Sequence, residues 1–531
     1  MKAHLIRNSL TLLAAIGFAV ATAATGAVPT RFLSELIFQL HAKHNPATSI
    51  VECGNNFPTL RYLAPYASIR HMNLKAFLRR FAIFAFALSL IASAPIVRAA
   101  EGLTWKAGVA RANVTPEEPI WMAGYAARNK PAEGKDQELF AKALAVEDEA
   151  GAKLVIITLD LISVPRPLRD SLEGYIKTKH NLPPSSLLIN CSHTHCGPEL
   201  RTRRATSSIY PEDGKKTFAY YDWLEAKLKT LIDEALADLS PARVTYGSAR
   251  CGVAMNRRLP TERGFINSPY SQGPVDHDVP VLRIDGPDKK MRAVLFGYAC
   301  HNTTLGFYQW SGDYAGYAQQ YFEEDHPGVT AMFMLGCVGD QNPYPRRSLE
   351  LAQKHGRSLA TAIEAALGAN STTISGSLKS AYENVTLTYA APPTREQLNE
   401  RAKSKNKYDK SYAEALLAEL DAKGKLRDSY PFPVQVVRFG DKLTLVALGG
   451  ETVVDYSLRL KKEIKGSAVW VAGYSNDVMG YIPSKRVLLE GGYEAGDSMK
   501  YFRTTLHPGY WDESVEERII GKVHELNAGL K

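Results

Sequence analysis

Cysteine is scarce in this chain. Six occur in 531 residues, at positions 53, 191, 196, 251, 300 and 337, and no two stand in a Cys-x-x-Cys spacing. That excludes a disulfide-dense miniprotein and argues against a thiolate zinc site. No internal repeat, no Ser/Gly-rich linker and no break in composition is visible, so a solenoid or a flexibly tethered array is excluded. Hydrophobic residues at 45% and charged residues at 22% are ordinary globular values and exclude a disordered or collagen-like chain.

Charge of one sign is also missing from most of the molecule. The formal net charge is +9, which by itself suggests an anionic partner. Residues 1–99 hold ten Lys/Arg and two acids, Glu35 and Glu52, and so carry +8 of it. The remainder is nearly balanced and has no concentrated Lys/Arg-aromatic motif, so nucleic-acid binding is excluded as a main function.

The front of the chain reads as export signal. Met72-Asn73-Leu74-Lys75 with Arg79 and Arg80 makes a basic start, Phe81–Ala94 an apolar run, and Val97-Arg98-Ala99 a small-x-small cleavage site. The expectation is a signal peptide over 72–99 and an exported (periplasmic or extracellular) mature chain starting near Ala100. The run is shorter than the roughly 20 residues of a membrane span, although uncleaved it would serve as an anchor. A second apolar run, Leu10–Ala24, precedes it. Two leaders in series suggest that Met72 is the true start and that 1–71 is an upstream extension not translated in vivo. The alternative is an unusually long leader. An exported chain permits disulfides among Cys191, Cys196, Cys251, Cys300 and Cys337, an odd set that leaves at least one unpaired.

From residue 100 to 531 short apolar runs alternate with amphipathic stretches. Strands are expected at Leu154–Leu159, Ser186–Asn190, Val279–Ile284, Ala293–Ala299, Thr330–Leu335, Leu443–Leu448 and Ala468–Ala472. Helices are expected at Tyr220–Leu239, Leu349–Leu367, Val453–Ile464 and Glu513–Leu526, with a solvated helix or helical hairpin at Arg395–Lys423. This predicts one large mixed α/β catalytic domain with at least one helix-covered sheet.

Polar clusters recur just after these strands. The first is Asn190-Cys191-Ser192-His193-Thr194-His195-Cys196-Gly197-Pro198. If the chain stays extended, His193 and His195 share a face. Cys300-His301-Asn302, Gly449-Gly450-Glu451 and Gly473-Tyr474-Ser475-Asn476-Asp477 follow three other strands. Neutral imidazoles with a carboxylate suit zinc, which keeps a coordination position open in catalytic sites.

These residues, with Ala107–Pro116, Met122-Ala123-Gly124-Tyr125, Asn256-Arg257-Arg258, Ser311–Ala318, Gly336–Pro343, Asn476–Tyr481 and Tyr493-Glu494, follow one another as in a known family. The chain from about Trp105 onward resembles the catalytic domain of neutral/alkaline (non-lysosomal) ceramidases. The resemblance implies a zinc-dependent amidohydrolase that cleaves the N-acyl amide of ceramide or a related N-acyl lipid. It implies zinc ligands His193, His301, Glu451 and Tyr481, and His195, Arg257 and Tyr493 as groups that act on the amide. A lipid-like substrate would also allow peripheral contact with membrane or lipid aggregates. Asp160 and Asp340 are candidates for supporting hydrogen-bond acceptors, or for plain structural roles.

Two departures stand out. The family's Gly-Asp motif continues to a Ser-Pro pair, where this chain has Gly339-Asp340-Gln341-Asn342-Pro343, so a serine role does not transfer. The family's C-terminal sandwich domain is not expected before Lys531. Two other readings therefore stand beside the amidase. One is a metal-dependent phosphoesterase, suggested by Gly-Asp-x-Asn but lacking Gly-Asn-His-Asp and Gly-His-x-His runs. The other is a non-catalytic lipid- or surface-binding protein that retains the fold.

Overall fold

The computed structural model describes residues 103–200, 214–502 and 505–531. The expected leader over 72–99 and the expected extension over 1–71 lie outside them.

A large sheet runs in the strand order Thr330–Leu335, Met291–Tyr298, Asp278–Asp285, Ser240–Arg250, Trp105–Asn113, Phe140–Asp148, Lys153–Leu159, Leu187–Cys191, with Thr372–Ile374 paired to Ser240–Arg250. Its outermost pairs at both ends are parallel and the pairs between them antiparallel. A second sheet has the order Leu378–Thr388, Ser429–Phe439, Leu443–Leu448, Ala468–Ala472, the last pair parallel.

Strand alternation explains how the two sheets pack. Val155, Ile157 and Leu159 join one apolar cluster with the helices Arg166–His180, Gly214–Ala237, Asp313–Asp325 and Leu349–Gly368. Leu154 and Ile156, on the opposite face, join a second cluster with Leu443, Leu445 and Ala447. The other face of that sheet, through Val446 and Leu448, packs against the helices Val454–Glu463 and Val515–Gly529. With period-2 side chains on every strand, both faces of both sheets are buried, giving helices, sheet, sheet, helices in four layers.

Every strand and helix expected from the sequence is present, most to within a few residues; Arg395–Lys423 takes the hairpin form, as the two helices Arg395–Arg401 and Lys407–Lys423, and the helix expected at Tyr220–Leu239 begins earlier, as Gly214–Ala237. Thr394 closes a capping box on the first helix, and Asn406 caps the second. Strands such as Phe140–Asp148 and Ser429–Phe439, and the helices Arg166–His180 and Asp313–Asp325, were not anticipated. Lys142 inside Phe140–Asp148 broke the apolar pattern. It is buried, and its ammonium donates to Glu323, Gln319 and the Ala331 carbonyl. All five described cysteines are free and buried. No described helix is long and apolar enough to cross a membrane.

The edge strands of the large sheet, Leu187–Cys191 and Thr330–Leu335, meet at one side chain. The Asn190 Oδ1 accepts from the Leu335 amide at 2.8 Å. Its Nδ2 donates toward the Leu335 carbonyl (3.2 Å), the Gly473 carbonyl (2.8 Å) and Ser475 Oγ (3.1 Å). Asn190 is fully buried and stands in for a missing strand ladder while joining both sheets. Asn190→Ala would leave these groups buried without partners, each costing roughly 1–3 kcal/mol. The expected result is about 2–4 kcal/mol less stability, read as a lower denaturant midpoint. An unchanged midpoint would show that water replaces the amide.

Candidate metal centre and active site

The functional side chains lie at the carboxyl ends of strands from both sheets, where ligands are found in α/β sheets. His193 follows Leu187–Cys191, His301 follows Met291–Tyr298, Glu451 follows Leu443–Leu448 and Tyr474 follows Ala468–Ala472.

His193 and His195 do converge, but not along an extended chain. The strand ends at Cys191, and His193 has φ 57. The left-handed turn redirects the chain, and the two Nε2 atoms end 3.2 Å apart. Tyr474 (φ 50) and Asn476 (φ 65) are also left-handed. Non-glycine residues in this region cost about 1–3 kcal/mol each and cluster at functional sites. Here the surrounding bonds enforce them. The His193 amide donates to Leu161 O, the His195 amide to Asn302 O and the Asn476 amide to Ile189 O.

The imidazoles are oriented from behind. His193 Nδ1 lies 2.6 Å from Ile162 O, and His301 Nδ1 lies 2.7 Å from Val338 O. Each Nδ1 therefore carries the proton, and each Nε2 lone pair faces inward. The Glu451 Oε2 sits 3.4 Å from His193 Nε2 and 3.5 Å from His301 Nε2. Two donors each about 2.0–2.1 Å from a tetrahedral ion lie roughly 3.3–3.4 Å apart, so these spacings fit a shared cation. The His301 Nε2 is buried with no hydrogen-bond partner. His193, His195 and His301 form a group that could hold a metal ion, their ring nitrogens within 4.8 Å of one another. Burial works against the Glu451 charge, but His193 and His301 hold its carboxyl well below the ordinary range. Burial, with Arg257 beside it, lowers His301 to about 4. Burial and its two neighbouring imidazoles hold His195 well below 6.5.

Tyr481 and Arg257 flank this group. Arg257 is buried, its Nη2 donates to Tyr481 Oη at 3.0 Å and its Nε to Glu494 at 2.8 Å. Tyr481 is fixed by pairing of Glu451–Thr452 with Tyr481–Ile482 and by Trp511, whose indole donates to its carbonyl. Tyr493 is 38% exposed, its ring 5.3 Å from that of Tyr481. Asp340 lies behind Glu451. It accepts from the Val454 amide at 2.8 Å and from Asn256 at 3.0 Å, and burial raises it to about 6. Asp160 instead accepts from the Phe140 amide and Gln319, which makes it a joint between strand and helix.

Tyr474 was not singled out from the sequence. Its hydroxyl donates to Glu451 Oε2 at 3.0 Å, and its ring lies 4.7 Å from that of His193. Its only sequence signal was its place just after a strand. Gly124, from Met122-Ala123-Gly124-Tyr125, cradles His195. Its φ is +93, and a Cβ there would stand 2.5 Å from the imidazole.

A family model described as neutral/alkaline non-lysosomal ceramidase, N-terminal, matches residues 105–378, about half of the chain. The chain belongs to the neutral/alkaline ceramidase family. It is therefore placed among ceramide-hydrolysing enzymes. The match covers His193, His195, Arg257 and His301 and stops before Glu451, Tyr481 and Tyr493. No curated protein matches at sequence level. Two solved structures share the fold. A structure titled as a ceramidase complexed with C2 aligns with TM-score 0.62 at 18% identity, covering 80% of this chain and 75% of that one. The neutral ceramidase from Pseudomonas aeruginosa aligns with TM-score 0.60 at 19% identity and the same coverage.

Proposed function

We propose that this ceramidase-family chain is an exported zinc amidohydrolase that cleaves the N-acyl amide of ceramide or a related N-acyl lipid. The observation that carries the reading is the spacing of His193 Nε2 and His301 Nε2 about Glu451 Oε2, with the His301 nitrogen buried and unpartnered. Two imidazoles, a carboxylate and a phenol are a donor set suited to zinc, and His193, His301, Glu451 and Tyr481 would hold it. Zinc there would supply an ionisable water near neutral pH and a Lewis acid for the amide carbonyl. Burial pushes the Tyr481 phenol far up, so it takes part as a neutral, weakly held group.

The chain's own groups do the rest. His195, partly exposed and neutral, takes a proton at Nε2 and returns it to the leaving amine. Arg257, anchored by Glu494, directs its guanidinium at the oxyanion that develops on the amide. Tyr493, at the open edge beside Tyr481, adds a hydroxyl donor. Export rests on the leader pattern at Met72–Ala99, and N-terminal sequencing of the mature protein should begin near Ala100.

The test is a panel of N-acyl amides, ceramides included. Fatty acid release should stop with a chelator and return with zinc. Because burial and its neighbouring imidazoles depress His195, the loss of kcat/KM that its protonation causes should set in below the ordinary histidine range, separate from any step near neutral pH that comes from the zinc-bound water. Full chelator-resistant turnover, or no amide turnover at all, would overturn the reading.

A further inference from the structure

The rim of the site carries two arginines that the reaction above leaves unused. Arg346 is half-buried and Arg347 exposed. Neither pairs with a carboxylate among the described residues. Arg346 Nη1 reaches the Thr303 hydroxyl, at 3.5 Å, and its guanidinium lies over the Tyr344 ring. That hydroxyl donates to Asn342 Oδ1 at 3.2 Å, which also accepts from Arg257 Nη1 at 3.3 Å. Arg347 Nη1 donates to Tyr125 Oη at 3.1 Å, and the Tyr125 ring lies 4.7 Å from that of His195. Both arginines are thus joined to the reacting groups through one or two side chains.

The electrostatics on this side are one-signed. The acids near the site are committed elsewhere. Glu494 pairs with Arg257 and Arg258, and Asp313 accepts from the Leu305 and Tyr314 amides. Burial, with Arg347 and Arg257 nearby, lowers the Arg346 guanidinium below its ordinary value. Two adjacent guanidinium forks suit a planar oxyanion.

We propose that Arg346 and Arg347 form a subsite for an oxyanion on the amine half of the substrate, so that preferred substrates are N-acyl amides bearing a carboxylate, phosphate or sulfonate near the scissile bond. The acyl tail is hydrocarbon, which leaves the amine half to carry the charge. The inference rests on the amidohydrolase reading and, within it, selects the related N-acyl lipids over ceramide, whose amine half carries no oxyanion.

N-palmitoylglycine and N-palmitoylethanolamine differ by a carboxylate in place of a hydroxymethyl group. In neutral detergent micelles the wild-type kcat/KM should favour N-palmitoylglycine by about tenfold or more, as for a hydrogen bond to a charged group. The preference should shrink with added salt. R346Q/R347Q should bring the ratio to about one, and R347E, at an exposed position, should reverse it even if the double variant does not fold. A wild-type ratio of one or less, or a ratio kept in the variants, overturns the proposal. If the pair serves released fatty acid instead, the ratio is one and palmitate inhibition weakens in R346Q/R347Q. If it serves an anionic surface, the ratio is one and turnover of the neutral amide rises with the anionic lipid content of the micelles. Hydrolysis of ceramide but of neither test amide overturns this subsite alone, whereas hydrolysis of no N-acyl amide at all overturns the amidohydrolase reading and this subsite with it.

Discussion

Glu451→Gln should empty the metal centre while leaving the fold intact. Glutamine keeps the shape of glutamate and still offers an oxygen to the Tyr474 hydroxyl, 3.0 Å from Oε2. In the other orientation its nitrogen takes the place of Oε2 and donates to the inward lone pairs of His193 and His301, and the Tyr474 hydroxyl then accepts. What disappears is the negative charge between two imidazoles, the element that most favours a divalent cation over water. Bound zinc should fall from about one per chain to near zero by elemental analysis. Hydrolysis should fall by about three orders of magnitude, the equivalent of roughly 4 kcal/mol. The melting temperature of the metal-free protein should not drop. A variant that kept its zinc, or lost its fold together with its activity, would show that Glu451 serves packing.

The second large effect is expected at Arg257. Burial works against the Glu494 charge, and Arg257 and Arg258 more than offset it, holding the carboxyl below its ordinary range. Removing Arg257 alone leaves half of that compensation, and breaking a buried pair costs about 3–5 kcal/mol. Arg257→Met should therefore lower both stability and kcat/KM, the latter by about 10²–10³ for a lost oxyanion donor. The two losses can be separated. Arg257→Met with Glu494→Gln removes the half-compensated charge, and Arg258 keeps Glu490 at 3.1 Å, so stability should return in part while activity stays low. If activity returned with stability, Arg257 would be a structural ion-pair member only. Unfolding curves and initial rates on one preparation decide between these.

Much of the site was legible because strand ends are marked in one dimension. Apolar runs ending in His, Gly-Gly-Glu or Gly-Tyr-Ser locate the carboxyl ends of Leu187–Cys191, Leu443–Leu448 and Ala468–Ala472. Ligand chemistry could be read from residue types. The family resemblance supplied what periodicity could not, namely that Tyr481 and Arg257 belong to the same place. Long strands such as Ser240–Arg250 were not legible, since their exposed residues break the alternation. Nor was Tyr474, because a tyrosine after a strand is ordinarily a packing residue.

The sequence by itself determined an α/β chain with a nearly neutral body behind a basic first 99 residues, poor in cysteine and carrying histidines and a glutamate at strand ends. Local periodicity and residue chemistry suffice for that. Only the tertiary structure decided that two sheets stack between helix layers, that Asn190 joins their ends, and that His193 turns through a left-handed backbone to meet His195. It also decided that Arg346 and Arg347 stand at the rim with no carboxylate partner among the described residues. Most of these facts depend on contacts between residues far apart in the chain, more than a hundred positions for Asn190 and Leu335. No local pattern encodes which distant partner a side chain will find.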